Sequence, residues 1–180
     1  MRELLRGLSV LVLGQLLLVF KSSVLSGWLI DPLDPLAILP MVVFLALSSN
    51  VSLARGMILS FMLGYLGDMA QGSPLGLETF LMAFTFIAVR TLGSRLILLR
   101  NAIMQSIAVG FTATLAVGAA LAMRTIFEPP LPLPLEDESQ AVMTMLGAGL
   151  ATGLIAPLIF ELMRRIEALY ARREEGGALA

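Results

Sequence analysis

Asp68 and Glu78 are two carboxylates ten positions apart, at membrane depth, flanking the turn-forming run Gly72-Ser-Pro-Leu-Gly76. Paired acids serve as general acid and base when substrate-positioning groups surround them and their proton affinities are driven apart. Little in this chain supplies such groups. Its 180 residues contain no histidine and no cysteine, which removes imidazole bases, thiolate nucleophiles, zinc clusters and disulfides. No HExxH, GxSxG or phosphate-cradling loop occurs either. The expected outcome is a protein without catalytic, cofactor or metal residues. Asp68 then has two possible uses. It hydrogen-bonds the free amides of the helix that follows it, or it meets a partner or ligand.

The elements that hold Asp68 must be membrane helices. Hydrophobic residues make up 58 % of the chain and charged residues 14 %, and the mean hydropathy is +0.91. Soluble domains carry about 25 % charged residues, so a water-facing surface could not be covered here. The net charge of −1 offers no basic footprint for nucleic acid. A spanning helix needs about 20 mostly apolar residues, and six candidate segments are readable: about 4–25, 35–47, 54–70, 74–89, 102–123 and 141–163. The second and fourth are short and depend on local thinning or on packing between neighbours. Ser73 is placed to cap the fourth helix and Pro74 to sit in its first turn. Pro40 and Pro157 are expected to kink the second and sixth. The fold class is an all-α integral membrane protein: one domain, a compact bundle of six transmembrane helices.

Charge sets the expected orientation. With the amino terminus inside, Arg2, Arg6, Arg55, Arg90, Arg95, Arg100, Arg164, Arg165, Arg172 and Arg173 all fall on the cytoplasmic side, ten of the twelve Lys and Arg residues. Lys21 and Arg124 fall outside, with Asp31, Asp34, Glu78, Glu128, Glu136, Asp137 and Glu138. Both termini are thus expected to be cytoplasmic. The start, with Arg2 and Arg6 before Leu8–Phe20, resembles a signal peptide, but Lys21 interrupts the run and no small-residue cleavage site follows, so a retained first helix is expected. The loop 124–140 carries four prolines between Glu128 and Glu136 and is expected to be extended, chiefly as a spacer. Residues 164–180 read as a charged, solvated tail.

Helices in lipid associate through small residues. Gly56, Ser60, Gly64 and Asp68 recur at steps of four, as do Gly110, Thr114, Gly118 and Ala122; Gly149 and Gly153 lie beside Ala148, Thr152 and Ala156. Internal packing is the first reading of each stripe.

The stretch Pro35–Arg95 resembles the central signature of the MreD family, bacterial rod shape-determining membrane proteins. The residues that carry it are Asp34-Pro-Leu-Ala-Ile-Leu-Pro40, Arg55-Gly56, Gly64-Tyr-Leu-Gly-Asp68 and Gly72-Ser-Pro-Leu-Gly76. The resemblance implies a non-enzymatic scaffold of the elongasome in the bacterial cytoplasmic (inner) membrane. It would bind MreC directly and, through it, connect MreB filaments with RodA and its transpeptidase in peptidoglycan side-wall synthesis. It also implies a bundle like the substrate-binding component of energy-coupling-factor transporters. That likeness gives the alternative function, capture of a vitamin near Asp68, Glu78 and Trp28, with docking through the stripe around Gly7 and Gly14. On the scaffold reading, Gly64, Asp68, Gly72, Ser73, Pro74, Leu75 and Gly76 form the partner-binding face, and no cofactor is needed.

Overall fold

A computed structural model describes residues 2–25, 36–48, 51–71, 75–93, 102–127 and 138–177. Every regular element among the described residues is helical. Helix α1 spans Arg2–Phe20 and continues into a five-residue π-helical turn, Lys21–Leu25; α2 spans Leu39–Leu47, α3 Leu53–Gln71, α4 Leu77–Gly93, α5 Ala102–Phe127 and α6 Glu138–Gly177. Three of these are long and apolar enough to cross a membrane, over Leu5–Ser23, Ile103–Met123 and Ser139–Leu169. The described residues are those of an all-helical membrane protein.

Three boundaries differ from the sequence reading, each for a local reason. The second helix begins at Leu39, not at residue 35, and Pro40 falls in its first turn rather than its interior. A proline there gives up an amide that no helix bond would use, so it starts α2 instead of kinking it. Ahead of it, the Leu36 amide donates to the Thr152 hydroxyl at 3.0 Å, which ties the entry of α2 to α6. The fourth helix begins at Leu77, not at residue 74. The sixth does not stop at residue 163: its helix runs 40 residues from Glu138 to Gly177 with Pro157 inside. At 1.5 Å per residue that is about 60 Å, roughly twice the hydrocarbon thickness of a bilayer. The segment expected as a solvated tail is therefore helical to Gly177. The proline-rich run 128–137 lies outside the described residues.

At nine residues, α2 is about 14 Å long by the same rise. Seven of those residues are buried, and α3, α4, α5 and α6 all pack against it. A helix apolar on every side is stable when enclosed in this way. Around it lie Leu63, Met82, Phe86, Ile159, Phe160 and Met163, all nearly inaccessible. Phe44 and Phe160 meet edge to face, 5.5 Å between ring centres, an arrangement aromatic quadrupoles favour.

Two close helix pairs frame this core. On α3, Gly56 and Gly64 let α4 approach: a Cβ at Gly64 would stand 2.6 Å from Thr79 Cα and 2.8 Å from the Glu78 carbonyl, and one at Gly56 would overlap the Phe86 ring. On the other pair, Gly110 of α5 faces Gly149 and Gly153 of α6, and a Cβ on any of the three would lie 3.0 Å from an opposing backbone carbonyl. The stripes at Gly56–Asp68, Gly110–Gly118 and Gly149–Gly153 thus pack against neighbouring helices. Large apolar side chains remain exposed on α1, α3, α4, α5 and α6, among them Leu16, Phe61, Phe84, Phe111 and Leu154.

Candidate functional site

The site centres on Asp68, in the last turn of α3 and 1 % exposed. Its Oδ2 accepts the Gly76 amide at 2.9 Å, the Thr79 amide at 3.1 Å and the Thr79 hydroxyl at 2.6 Å. Its Oδ1 accepts the Glu78 amide at 2.8 Å. Gly76 is the residue from which α4 starts, since its carbonyl accepts the Phe80 amide at 2.9 Å. The first amides of a helix have no partner within it and are commonly met by a Ser, Thr, Asp or Asn side chain at the capping residue. That device is closed to position 76, where φ is +100° and only glycine sits without strain. Asp68 supplies the missing oxygen atoms from the neighbouring helix. A carboxylate there also meets the positive end of the α4 dipole. Three amides and a hydroxyl satisfy it, which makes its burial tolerable.

Glycines make the room. Gly64 admits the α4 backbone against α3, and at Gly67 a Cβ would overlap the Glu78 carboxylate, so that side chain folds back over the glycine. Glu78 itself is 9 % exposed. Of the residues expected to bind a partner, Gly64, Asp68, Leu75 and Gly76 come together here. Leu75 is the outlying member, 76 % exposed just ahead of α4. Gly72, Ser73 and Pro74 lie outside the described residues, as does Trp28. Of Asp68's two expected uses, the structure displays the internal one. Thr79, which meets Asp68 twice, was not among the expected residues; a hydroxyl at the third position of a helix that follows an acid-ended helix is the signal for it.

A second polar clasp closes the opposite end of α4. The Arg90 guanidinium donates to the carbonyls of Ala46 at 3.1 Å, Ser48 at 2.7 Å and Val51 at 3.1 Å. These carbonyls mark the end of α2 and the turn beyond it, where the negative pole of that helix emerges. Sequence reasoning counted Arg90 only as a charge for topology. Its mark was a lone cation closing an apolar helix, the place where a long side chain reaches a neighbour's carbonyls.

Beside Arg90, the Ser48 hydroxyl makes a long 3.4 Å contact with Glu167 of α6. The same carboxylate pairs with Arg6 of α1. Arg6, Arg90 and Glu167 therefore gather at one end of the molecule, and Asp68, Glu78 and Thr79 at the other. Among the described residues no cluster of three or more acids holds a metal-binding arrangement.

The stripe at Gly7 and Gly14 faces α3. A Cβ at Gly7 would lie 3.5 Å from Leu59, and one at Gly14 would overlap Leu63. A separate groove of about 650 Å³ runs between α1 and α3, lined by Leu11, Met57, Ile58, Phe61, Met62, Tyr65 and Leu66. Its walls are apolar and it opens sideways. Compared with known proteins, the chain matches no family model, no curated protein and no solved structure.

Proposed function

We propose that this protein is a non-enzymatic membrane scaffold of the MreD type. In this reading six helical segments lie in the bacterial inner membrane with both termini cytoplasmic, and the α3–α4 turn holds the membrane-proximal part of MreC. MreB, RodA and its transpeptidase join through that complex. One observation carries the reading. The residues that bear the family resemblance, Gly64, Asp68 and Gly76, form one physical unit that fixes the start of α4 and leaves Leu75 exposed beside it. An exposed apolar side chain beside a hydrogen-bonded helix start is suited to docking, because little order has to be gained there on binding.

The six-segment arrangement draws support from two further features. Exposed Met57, Ile58, Phe61, Met62 and Met69 on α3, and Phe80, Phe84 and Ile87 on α4, are side chains suited to lipid. The gathering of Arg6 and Arg90 at the end opposite Asp68 matches the positive-inside bias. The short α2 would cross only part of the membrane, enclosed by its neighbours rather than by lipid. In this scheme Asp68 positions the turn and Leu75 makes the contact.

The test is co-purification in mild detergent with the MreC protein from the same cell. Leu75→Asp, which leaves every bond to Asp68 in place, is expected to lose most of the retained MreC while thermal unfolding stays unchanged. Full retention by that variant, or no retention by the parent protein, overturns the reading.

A further inference from the structure

Two features meet at the joint between α1 and α3. One is the apolar groove of about 650 Å³. Its wall on α3 runs from Met57 to Leu66, about 14 Å at the helical rise. That is close to half of the ~30 Å hydrocarbon thickness of a bilayer, the depth of one leaflet. The other is a crevice of about 20 Å³, bordered among others by Arg6 of α1, Arg55 of α3 and Glu167 of α6. The two lie side by side. Val10 and Leu59 border the crevice, and their chain neighbours Leu11 and Ile58 line the groove. The helices run in the same direction, since Gly7 faces Leu59 and Gly14 faces Leu63. Both cations therefore stand at the same end of the groove. Arg55 is three residues before Ile58 and seven before Met62, which places it on the helix face that those two share. Leu11 lies within Leu5–Ser23, the apolar run of α1 long enough to cross a membrane, and Arg6 lies near its start.

From this geometry we infer that the α1–α3 joint is a binding site for one anionic phospholipid. An acyl chain fills the groove, and the phosphate sits against Arg55 and Arg6. Three observations choose this occupant. The first is length, since the groove is as long as a leaflet is deep. The second is charge. Two guanidinium groups against one carboxylate leave a formal charge of +1 at the crevice, the complement of a phosphodiester. Basic pockets between helices at a membrane interface suit such headgroups. The third is the character of the walls. Helices meet in lipid through small residues, and here the small ones are already turned inward: Gly14 to Leu63, Gly56 to Phe86 and Gly64 to the α4 backbone. Among the described residues the groove is lined only by large side chains, and Met57 and Met62 are unbranched and adapt to an irregular shape. Such walls suit a flexible hydrocarbon chain better than a second helix. The inference does not rest on the scaffold reading. It needs α1 to cross the bilayer, and it uses no protein partner and no residue of the Asp68 site.

Fluorescence quenching by brominated lipid tests it on the full chain. Trp28 is the chain's single tryptophan. Trp28→Phe with Phe61→Trp moves that reporter to the groove wall, and Trp28→Phe with Phe111→Trp moves it to an exposed position on α5. Each protein is placed in phosphatidylcholine vesicles that carry the same minor fraction of brominated phosphatidylglycerol or of brominated phosphatidylcholine. The groove reporter is expected to favour phosphatidylglycerol by about fivefold in apparent binding constant, the effect of one net charge near the surface. The α5 reporter is expected to show no preference. Adding Arg55→Gln should abolish the preference at the groove, and Arg55→Lys should keep most of it. Equal quenching of the groove reporter by both lipids overturns the site, because the groove is then only solvated by the bilayer. Quenching by neither lipid overturns it too, since a protein surface then covers the groove. An equal preference at the α5 reporter, or a preference that survives Arg55→Gln, overturns the placement of the phosphate.

Discussion

At the scale of single residues, Asp68 is a cap delivered from outside its own helix. The signals for it were legible in the sequence: an acid at the end of a small-residue helix, followed by turn formers and a second helix start. Its partners were less so. Ser73 was the local capping choice, but α4 begins four residues later, and the left-handed Gly76 cannot cap itself. The Glu78 and Thr79 amides and the Thr79 hydroxyl become buried donors without an acceptor once the carboxylate is gone, and the part-buried Gly76 amide loses its partner. Such groups cost about 1–3 kcal/mol each at worst, and water and relaxation recover part of it. Asp68→Ala is expected to lower stability by on the order of 3 kcal/mol in thermal or denaturant unfolding. Asp68→Asn, which keeps one acceptor oxygen, should lose roughly half as much. A loss no larger than that of an exposed alanine control would show that the hydrogen bonds contribute little.

At the scale of elements, the spacing of small residues told which helix faces pack but not which helix each would meet. Gly56, Ser60, Gly64 and Asp68 recur every fourth residue, and the structure turns that face to α4. The glycine stripes of α5 and α6 meet each other. Periodicity could not distinguish a glycine pressed on backbone from one beside a movable side chain. Gly64 and Gly7 illustrate the two cases. A methyl at Gly64 meets the Thr79 Cα and the Glu78 carbonyl, neither of which can shift without moving α4; one at Gly7 meets only the end of Leu59 at ordinary contact distance. Gly64→Ala is expected to cost about 2 kcal/mol through overpacking. Gly7→Ala is expected to be neutral or slightly stabilising, because alanine is the better helix former. Chemical denaturation of both variants checks the contrast, and equal losses would contradict it.

At the scale of the whole molecule, long apolar runs made α1, α5 and α6 readable, and composition alone named the solvent. What the sequence hid was length. Arg164, Arg165 and Glu167 ended the sixth apolar run and so suggested a tail, whereas α6 continues as helix through them. Charge marks where a helix leaves lipid, and it carries no instruction to stop coiling. The second segment was legible as short and dependent on its neighbours, but not as enclosed on nearly every side, because an apolar stretch reads alike whether lipid or protein surrounds it. Topology is open to direct measurement. The chain has no cysteine, so single cysteines at Arg2 and Arg172 in turn would be the sole thiols. Both are expected to react with a membrane-impermeant reagent from the cytoplasmic side, as an even number of crossings requires. Labelling from opposite sides would exclude an even count.

Helix α4 is gripped at its start by a carboxylate from α3 and near its end by its own guanidinium on the carbonyls around the end of α2. The two grips are about 18 Å apart along the axis. A slide of one turn in either direction would strip both at once and leave two charged groups without their hydrogen-bond partners. Piston motion of α4 is thereby barred. Any message carried across the bundle by this helix has to travel as tilt or as rotation of its neighbours around it, with α4 serving as the fixed axle.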